Sequence, residues 1–307
     1  MEIKDNNGFV YITNGNLKIV LSCLGAAIAE ISFNDDLLTL TPINYQDLSR
    51  EDIYYGKTIG PIANRAKDGL VKIENKNYYL SLNEAGVSNH SGKNGISNKV
   101  FDHIIKDNKA IFEYKENIFD GVITYNVIYS FSNENEIKVE YVVRTTNRAL
   151  LSLTNHTFFT LGQDGIDNLS LKLETSSFIE SNKETLVPQS VKPIIKCLDF
   201  NKEKLLVKDI DDPYLMNHRT KGYDHCFLLN KKVVMLNSPK YSLIVASNFP
   251  CVHIYSDNYA DGVLVKNTKL TSRRAVAIEP EDNLLEKTLI TKDEIYQRYI
   301  TYTFLKR

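Results

Sequence analysis

The 307-residue sequence predicts an all-β fold, a large antiparallel β-sandwich, on three observations. Period-two hydrophobic alternation recurs along the chain, no long stretch keeps a 3.6-residue period, and aromatic side chains that suit sheet cores are plentiful, with 18 tyrosines and 13 phenylalanines. Tyr125, Val127, Tyr129 and Phe131 alternate with polar neighbours, Ile128 excepted, and after Asn133-Glu134-Asn135-Glu136 the alternation resumes at Ile137, Val139, Tyr141 and Val143. Two such runs around a short polar turn read as a hairpin with one buried face. Smaller versions lie at Lys72 to Leu80, Val10 to Leu21 and Lys240 to Tyr255. Helical signals are confined to Asn44 to Glu51 and Lys292 to Ile295, short polar stretches suited to turns or single helical turns. Ser181 to Lys221, rich in Lys, Asp and Pro, predicts long loops at one rim. Glycine (14) and proline (8) are sparse, and no repeat or linker divides the chain, so residues 1–307 are expected to form a single domain.

Charge and cysteine usage exclude several function classes. Lys plus Arg (37) nearly cancels Asp plus Glu (38), for a net charge of -1. Such a chain has no broad field to recruit nucleic acid or an anionic membrane. Cys23, Cys197, Cys226 and Cys251 form no C-x-x-C pair and no disulfide framework, which fits free thiols in a reducing cytoplasm. The first residues lack the basic and apolar regions of a signal peptide, and the apolar stretch from Ile19 to Ile31 is broken by Ser22 and Glu30, short of the roughly 20 residues of a membrane span. The expected setting is cytoplasmic and the expected partner a small molecule, with monomer and homodimer both open.

Six histidines are candidates for acid–base work, and their surroundings separate them. His90 lies in the small-residue loop Asn89-His90-Ser91-Gly92-Lys93-Asn94-Gly95, where a ligand can approach the backbone. His156 lies in Leu153-Thr154-Asn155-His156-Thr157-Phe158-Phe159, a polar cluster inside a strand-like run, so its ring needs a partner or a substrate. His103 reads as a surface residue, and His218 has no evident partner. Glu279 ends an apolar strand at Pro280, well placed to face a cleft. Asp224 stands between Tyr223 and His225, and Asn64-Arg65 lies between Gly60 and Gly69, where the forked donors of an arginine can hold hydroxyls or a carboxylate. No Walker loop, G-x-G-x-x-G, H-E-x-x-H or G-x-S-x-G element is present, and His225-Cys226 lacks zinc spacing, so no metal or nucleotide cofactor is expected.

Taken in order, these segments resemble the aldose 1-epimerase (galactose mutarotase) family. The likeness runs through Gly25-Ala26-Ala27-Ile28, read as following an edge strand, then Ala63-Asn64-Arg65 with Gly69, Asn83, and Asn89-His90-Ser91-Gly92 with Gly95 and Lys99-Val100-Phe101. Thr154-Asn155-His156-Thr157-Phe158-Phe159 is the most specific part, and Tyr223-Asp224-His225 and Ala277-Ile278-Glu279-Pro280 complete it. The resemblance implies a mutarotase-type β-sandwich that interconverts the α and β anomers of free hexoses without a cofactor. It implies Glu279 as the general base at the C1 hydroxyl, His156 as the general acid at the ring oxygen, and His90 and Arg65 as sugar ligands. Asp224 would hold ring hydroxyls, and Asn64 is a weaker binding residue. Opposite charges nearby are expected to keep Glu279 ionised and His156 protonated. Three departures stand out: Ser91 where the family has glycine, Phe101 where it has tryptophan, and Glu281 where it has glutamine. Glu281, a second carboxylate near the base, can raise the pKa of one of the pair or prefer a different hydroxyl pattern or a cationic sugar, so the departures bear on the sugar more than on the fold. A sugar-phosphate epimerase, gripping phosphate through Arg273-Arg274 and Lys93, is an alternative. Others are a non-catalytic carbohydrate-binding module and, more weakly, a glycoside hydrolase pairing Glu279 with Asp224 or Glu281.

Overall fold

The computed structural model describes residues 1–269 and 271–307, and the backbone alone of Ser132. The hairpin read from the alternation is the spine of the fold. Strands Gly121–Asn133 and Glu136–Thr145 pair antiparallel around a turn at 134–135. Their register sets Tyr125 opposite Val143, Val127 opposite Tyr141 and Tyr129 opposite Val139, and all six side chains are buried. Aromatic and β-branched residues across from one another are the favourable cross-strand pairs of an antiparallel sheet.

The hairpin belongs to a large antiparallel sheet. In spatial order this sheet runs through Asp102–Lys106, Lys109–Ile118, Gly121–Asn133, Glu136–Thr145, Tyr296–Lys306, Tyr241–Ser247, Asp224–Asn237, Cys251–Tyr255, Val276–Glu281 and Phe158–Phe159. Ser170–Ser181 branches from it by pairing with Asp224–Asn237. A separate five-stranded antiparallel meander spans Glu2–Asn6 to Asp36–Leu37 and packs its apolar face on the same core, where Val10, Ile12, Leu21 and Ile31 join Phe112, Tyr129 and Phe304. Two sheet faces sharing one apolar layer make a β-sandwich, the class the sequence predicted.

Several local expectations change. Leu17–Ser22, which leads into Gly25, is not an edge strand: it lies between Phe9–Asn14 and Ala27–Phe33. The stretch from Ser181 to Lys221 is not merely loops. It holds strands Pro188–Pro193 and Lys204–Leu205 and the α-helix Pro213–Met216, started by Pro213 behind the Asp212 side chain, which accepts from Tyr214 N. Tyr45–Ser49 forms the single turn expected near Asn44, whose side chain caps it by accepting from Gln46 N. Among the described residues no helix is long and apolar enough to cross a membrane.

Candidate active site

Each candidate side chain is delivered by a different element. Glu279 lies on Val276–Glu281 directly across from His253 on Cys251–Tyr255, and Asp224 begins the neighbouring strand, across from Tyr255. These three strands are adjacent in the large sheet, so their ends converge on one patch. His156 sits between the short strands Thr154–Asn155 and Phe158–Phe159. Its backbone is clamped on both sides: His156 N donates to Lys57 O, and Gly56 N donates to His156 O, each at 2.9 Å. Gly56 is required there. It has φ of +65°, and a Cβ would stand 1.8 Å from Ile28 O. Asn155 secures the same strap by donating from Nδ2 to Gly56 O at 2.8 Å.

Asn64 and His90 hold each other. His90 N donates to Asn64 O at 3.0 Å, and Asn64 N donates to His90 Nδ1 at 3.2 Å. Both residues have positive φ, 62° and 54°, in the left-handed region that Asn and His tolerate better than most. The bond to His90 Nδ1 fixes the tautomer: Nδ1 accepts, so the neutral ring carries its hydrogen on Nε2.

Together these elements line a cleft of about 400 Å³ that contains all six residues singled out in the sequence, His90, His156, Glu279, Asp224, Arg65 and Asn64. His156 Nε2 is 3.4 Å from Glu279 Oε1, and both side chains are almost fully buried. The His90 and His156 rings meet edge to face at 5.2 Å. Arg65 sets its guanidinium between two carboxylates, with Nε 3.3 Å from Glu84 Oε2 and Nη1 3.7 Å from Asp224 Oδ2.

Electrostatically, the expectation of an ionised Glu279 beside a protonated His156 is corrected. Burial dominates both groups. It pushes the Glu279 carboxyl up to about 8, with Glu281 and Asp224 adding to the rise against an opposing His253. It pulls His156 down to about 3, and His253 and Arg65 reinforce the fall. Burial also holds His90 well below the ordinary histidine value, helped by His156 and Arg65. At neutral pH the Glu279–His156 pair therefore carries one proton, and in the open cleft it rests on the carboxyl. Asp224 is the opposite case: burial opposes its charge, but the His253 hydrogen bond and Arg65 outweigh it and hold the carboxylate far below its usual range.

His90, His156 and Glu279 each present a ligand-type atom within 4.8 Å of the others, as do Cys226, His253 and Glu281. The first set does not suit a metal. With Nδ1 committed to the Asn64 N–H, the His90 Nε2 is a donor and offers no lone pair. In the second, His253 is engaged on both nitrogens.

The site residue that the sequence reading missed is His253. Its Nε2 lies 2.6 Å from Asp224 Oδ1, and its Nδ1 lies 2.9 Å from Asn64 Nδ2 and 3.4 Å from Glu281 Oε1. Burial disfavours a charged ring, yet the bonds to Asp224 and Glu281 prevail and raise it to about 10. Tyr54 was also missed. Its ring stands 4.8 Å from His90 and 5.7 Å from His156, and with Tyr255 it lines the cleft. The three departures move out of the cleft. Ser91 is buried and trades hydrogen bonds with Ile62, its Oγ accepting from N at 2.8 Å and donating to O at 2.9 Å. Phe101 is in the core against Tyr114. Glu281 is fully buried behind His253 and does not line the cleft, so its influence on a ligand is indirect. His103, read as a surface residue, is half-buried on an otherwise exposed strand, and it has partners in Cys23 and Asp5. His218, too, has a partner, its Nδ1 lying 2.8 Å from Tyr214 O.

A β-sandwich whose cleft sets a carboxyl beside an imidazole, among further charged and aromatic side chains, defines a class: proteins with a paired acid and base in a pocket of small-molecule size. The chain belongs to the aldose 1-epimerase family, whose family model matches residues 9–303. It is 26% identical over 234 residues to an aldose 1-epimerase of Haemophilus influenzae, covering 71% of this chain and 68% of that protein. It is 27% identical over 228 residues to a galactose mutarotase of Homo sapiens, covering 69% of this chain and 64% of that one. The matched region thus spans about two thirds of these relatives' own length. In fold, the chain is similar to the GalM/aldose epimerase homologue from C. elegans, with a TM-score of 0.85 at 23% identity, covering 98% of this chain and 99% of that one. It is similar also to galactose 1-epimerase from Lactobacillus acidophilus, with a TM-score of 0.84 at 21% identity, covering 100% of this chain and 97% of that one.

Proposed function

We propose that the chain, acting as one domain, interconverts the α and β anomers of a free aldose of the glucose or galactose kind by acid–base ring opening and closure. The observation that carries this reading is the Glu279–His156 pair, with Oε1 and Nε2 3.4 Å apart inside the cleft. Mutarotation needs one group to take the C1 hydroxyl proton while another protonates the ring oxygen, and microscopic reversibility then closes the ring from the open aldehyde. A pair with one proton supplies both partners. A C1 hydroxyl donating to Glu279 favours moving that proton to His156, with no change in the pair's net charge. Glu279 is then the base and His156 the acid. His90, whose Nε2–H is free to donate, holds an oxygen near the reacting centre. Asp224, kept ionised by His253 and Arg65, accepts from ring hydroxyls. Arg65 acts mainly by fixing Asp224, and Asn64 by fixing His90. Tyr54 and Tyr255 offer aromatic faces to the C–H side of the sugar.

No leaving group is involved, so neither a nucleophile nor a metal has a step to perform. The sugar-phosphate alternative has less support. Arg274 is buried in ion pairs with Asp257 and Asp261, Arg273 faces Asp211 outside the cleft, and carboxylates outnumber Arg65, Lys93 and Arg219 along the cleft. The hydrolase reading loses one of its carboxylates, because Glu281 lies outside the cleft. Four buried free cysteines favour a reducing, cytoplasmic setting. Polarimetry of freshly dissolved α-D-glucose and α-D-galactose tests the reading: faster decay to the equilibrium rotation is expected. Rotation decaying at the buffer rate for every aldose tried would overturn it, and acceleration confined to glucose 6-phosphate would move the assignment to sugar phosphates.

A further inference from the structure

A second set of reactive side chains lies away from the sugar cleft, where the meander meets Asp102–Lys106, the edge strand of the large sheet. Cys23 Sγ stands 3.2 Å from His103 Nδ1, and His103 Nε2 stands 2.8 Å from Asp5 Oδ2. The carboxylate of Asp5 can only accept, so it places the ring hydrogen on Nε2 and turns the Nδ1 lone pair toward the thiol. His103 is held from behind by stacking on Phe112, with ring centroids 5.6 Å apart. A nucleophile bonded to a base that is itself oriented by a third group is the general arrangement of activated side-chain nucleophiles. Beside Cys23 lies a cavity of about 560 Å³ whose wall mixes apolar residues such as Phe9, Leu24 and Tyr45 with uncharged polar ones such as Asn44 and Gln46, and no charged side chain is among its lining residues. Cys23 itself lines that cavity, whereas Cys197, Cys226 and Cys251 line neither it nor the sugar cleft.

We propose that Cys23 is a covalent modification site for small, uncharged α,β-unsaturated carbonyl compounds, with His103 as its general base and Asp5 as the group that orients His103. Burial, with the Asp5 and Asp102 carboxylates nearby, pushes the Cys23 thiol up, so no free thiolate stands waiting and reaction depends on proton removal as the new bond forms. In the addition, Sγ bonds to the β-carbon and the thiol proton passes to His103 Nδ1. The carbon–carbon π pair moves into the carbonyl as an enolate, and the proton returns to the α-carbon. Atoms balance, nothing is oxidised and nothing leaves. The wall carries no charged side chain, so a charged reagent finds no opposite charge there and a neutral one is favoured.

N-Ethylmaleimide supplies the probe. Peptide mapping of the native protein over time is expected to show Cys23 labelled first, about tenfold or more ahead of the other three cysteines. His103→Gln is expected to slow Cys23 labelling about tenfold or more, in keeping with loss of a general base, while sugar anomerisation stays unchanged. Asp5→Asn, on an exposed strand and harmless to packing, is expected to slow it by a smaller factor and serves if the His103 variant fails to fold. Labelling of Cys23 no faster than of Cys197, or an unchanged rate in both variants, would overturn the proposal.

Discussion

Glu279 keeps at neutral pH a proton that a carboxyl in water would have lost, while His156 stays neutral far below its ordinary value, and the cause in both is burial rather than any single neighbour. The activity profile should show it. Below about 8 the pair keeps its proton; above that value it loses the proton and with it the acid. We expect kcat, followed by polarimetry across pH 5 to 10, to fall on the alkaline side with a midpoint near 8. A flat profile through that range would contradict the shared-proton assignment. Replacing Glu279 by Gln should lower kcat by about 10²–10⁴-fold, the usual worth of one general acid–base group, with KM nearly unchanged. As residues of one cleft, His156, His90, Arg65, Asp224 and Asn64 were legible because each stands in a short polar or glycine-bounded segment, Glu279 because it ends an apolar strand at a proline, and the order of those segments matched a family. His253 was not. In Cys251-Val252-His253-Ile254-Tyr255 it reads as a lone histidine in an apolar strand, and its partners Asp224 and Asn64 are 29 and 189 residues away. Tyr54 escaped notice because it follows the polar stretch Arg50-Glu51-Asp52, whose composition signals a turn and says nothing about two imidazoles beyond it.

At the scale of elements, the strap at residues 56–58 decides whether His156 can be held. Gly56 feeds both the His156 backbone and the Asn155 side chain. Gly56→Ala should therefore cost more than the usual glycine change, about 2 kcal/mol or more, since the new methyl meets backbone rather than a movable side chain. A urea midpoint within error of the parent protein would refute this. The central hairpin, with its strict alternation, was fully readable. The stretch from 181 to 221 was not, because its strands Pro188–Pro193 and Lys204–Leu205 take their place by pairing with Ser170–Ser181, a tertiary fact that composition does not carry. Leu17–Ser22 was likewise misplaced in its sheet, because strand order depends on partners and not on the strand's own pattern.

Over the whole molecule, the buried titratable groups set how stability answers to pH. His253 has a folded value raised to about 10 from an ordinary 6.5, so its stabilisation is complete below about 6.5 and is lost as pH climbs toward 10. Glu279, raised to about 8 from 4.5, has the same sign: protons it keeps when folded are released on unfolding, and stability falls as pH rises through that window. His156 and His225, both pulled down to about 3, act in the opposite sense and weaken the fold as pH drops below about 6.5. The melting temperature should therefore decline between pH 6.5 and 9. The decline should be shallower in Glu281→Gln, which removes one of the carboxylates that raise both His253 and Glu279. Differential scanning calorimetry of both proteins decides it; an equal or steeper decline in the variant would argue against the charge assignment at His253.

Strand Tyr296–Lys306 lies in the interior of the large sheet, between Glu136–Thr145 and Tyr241–Ser247. Each of those strands is left with an open edge until residues beyond 296 arrive. A ribosome adding about 5–20 residues per second needs roughly 8–30 s to travel from the hairpin to that strand. For that interval a long row of unpaired backbone amides is offered to any chain nearby. Vectorial synthesis thus leaves this sheet open until late, and chaperones that shield extended segments have most to guard in the nascent chain between residues 145 and 296.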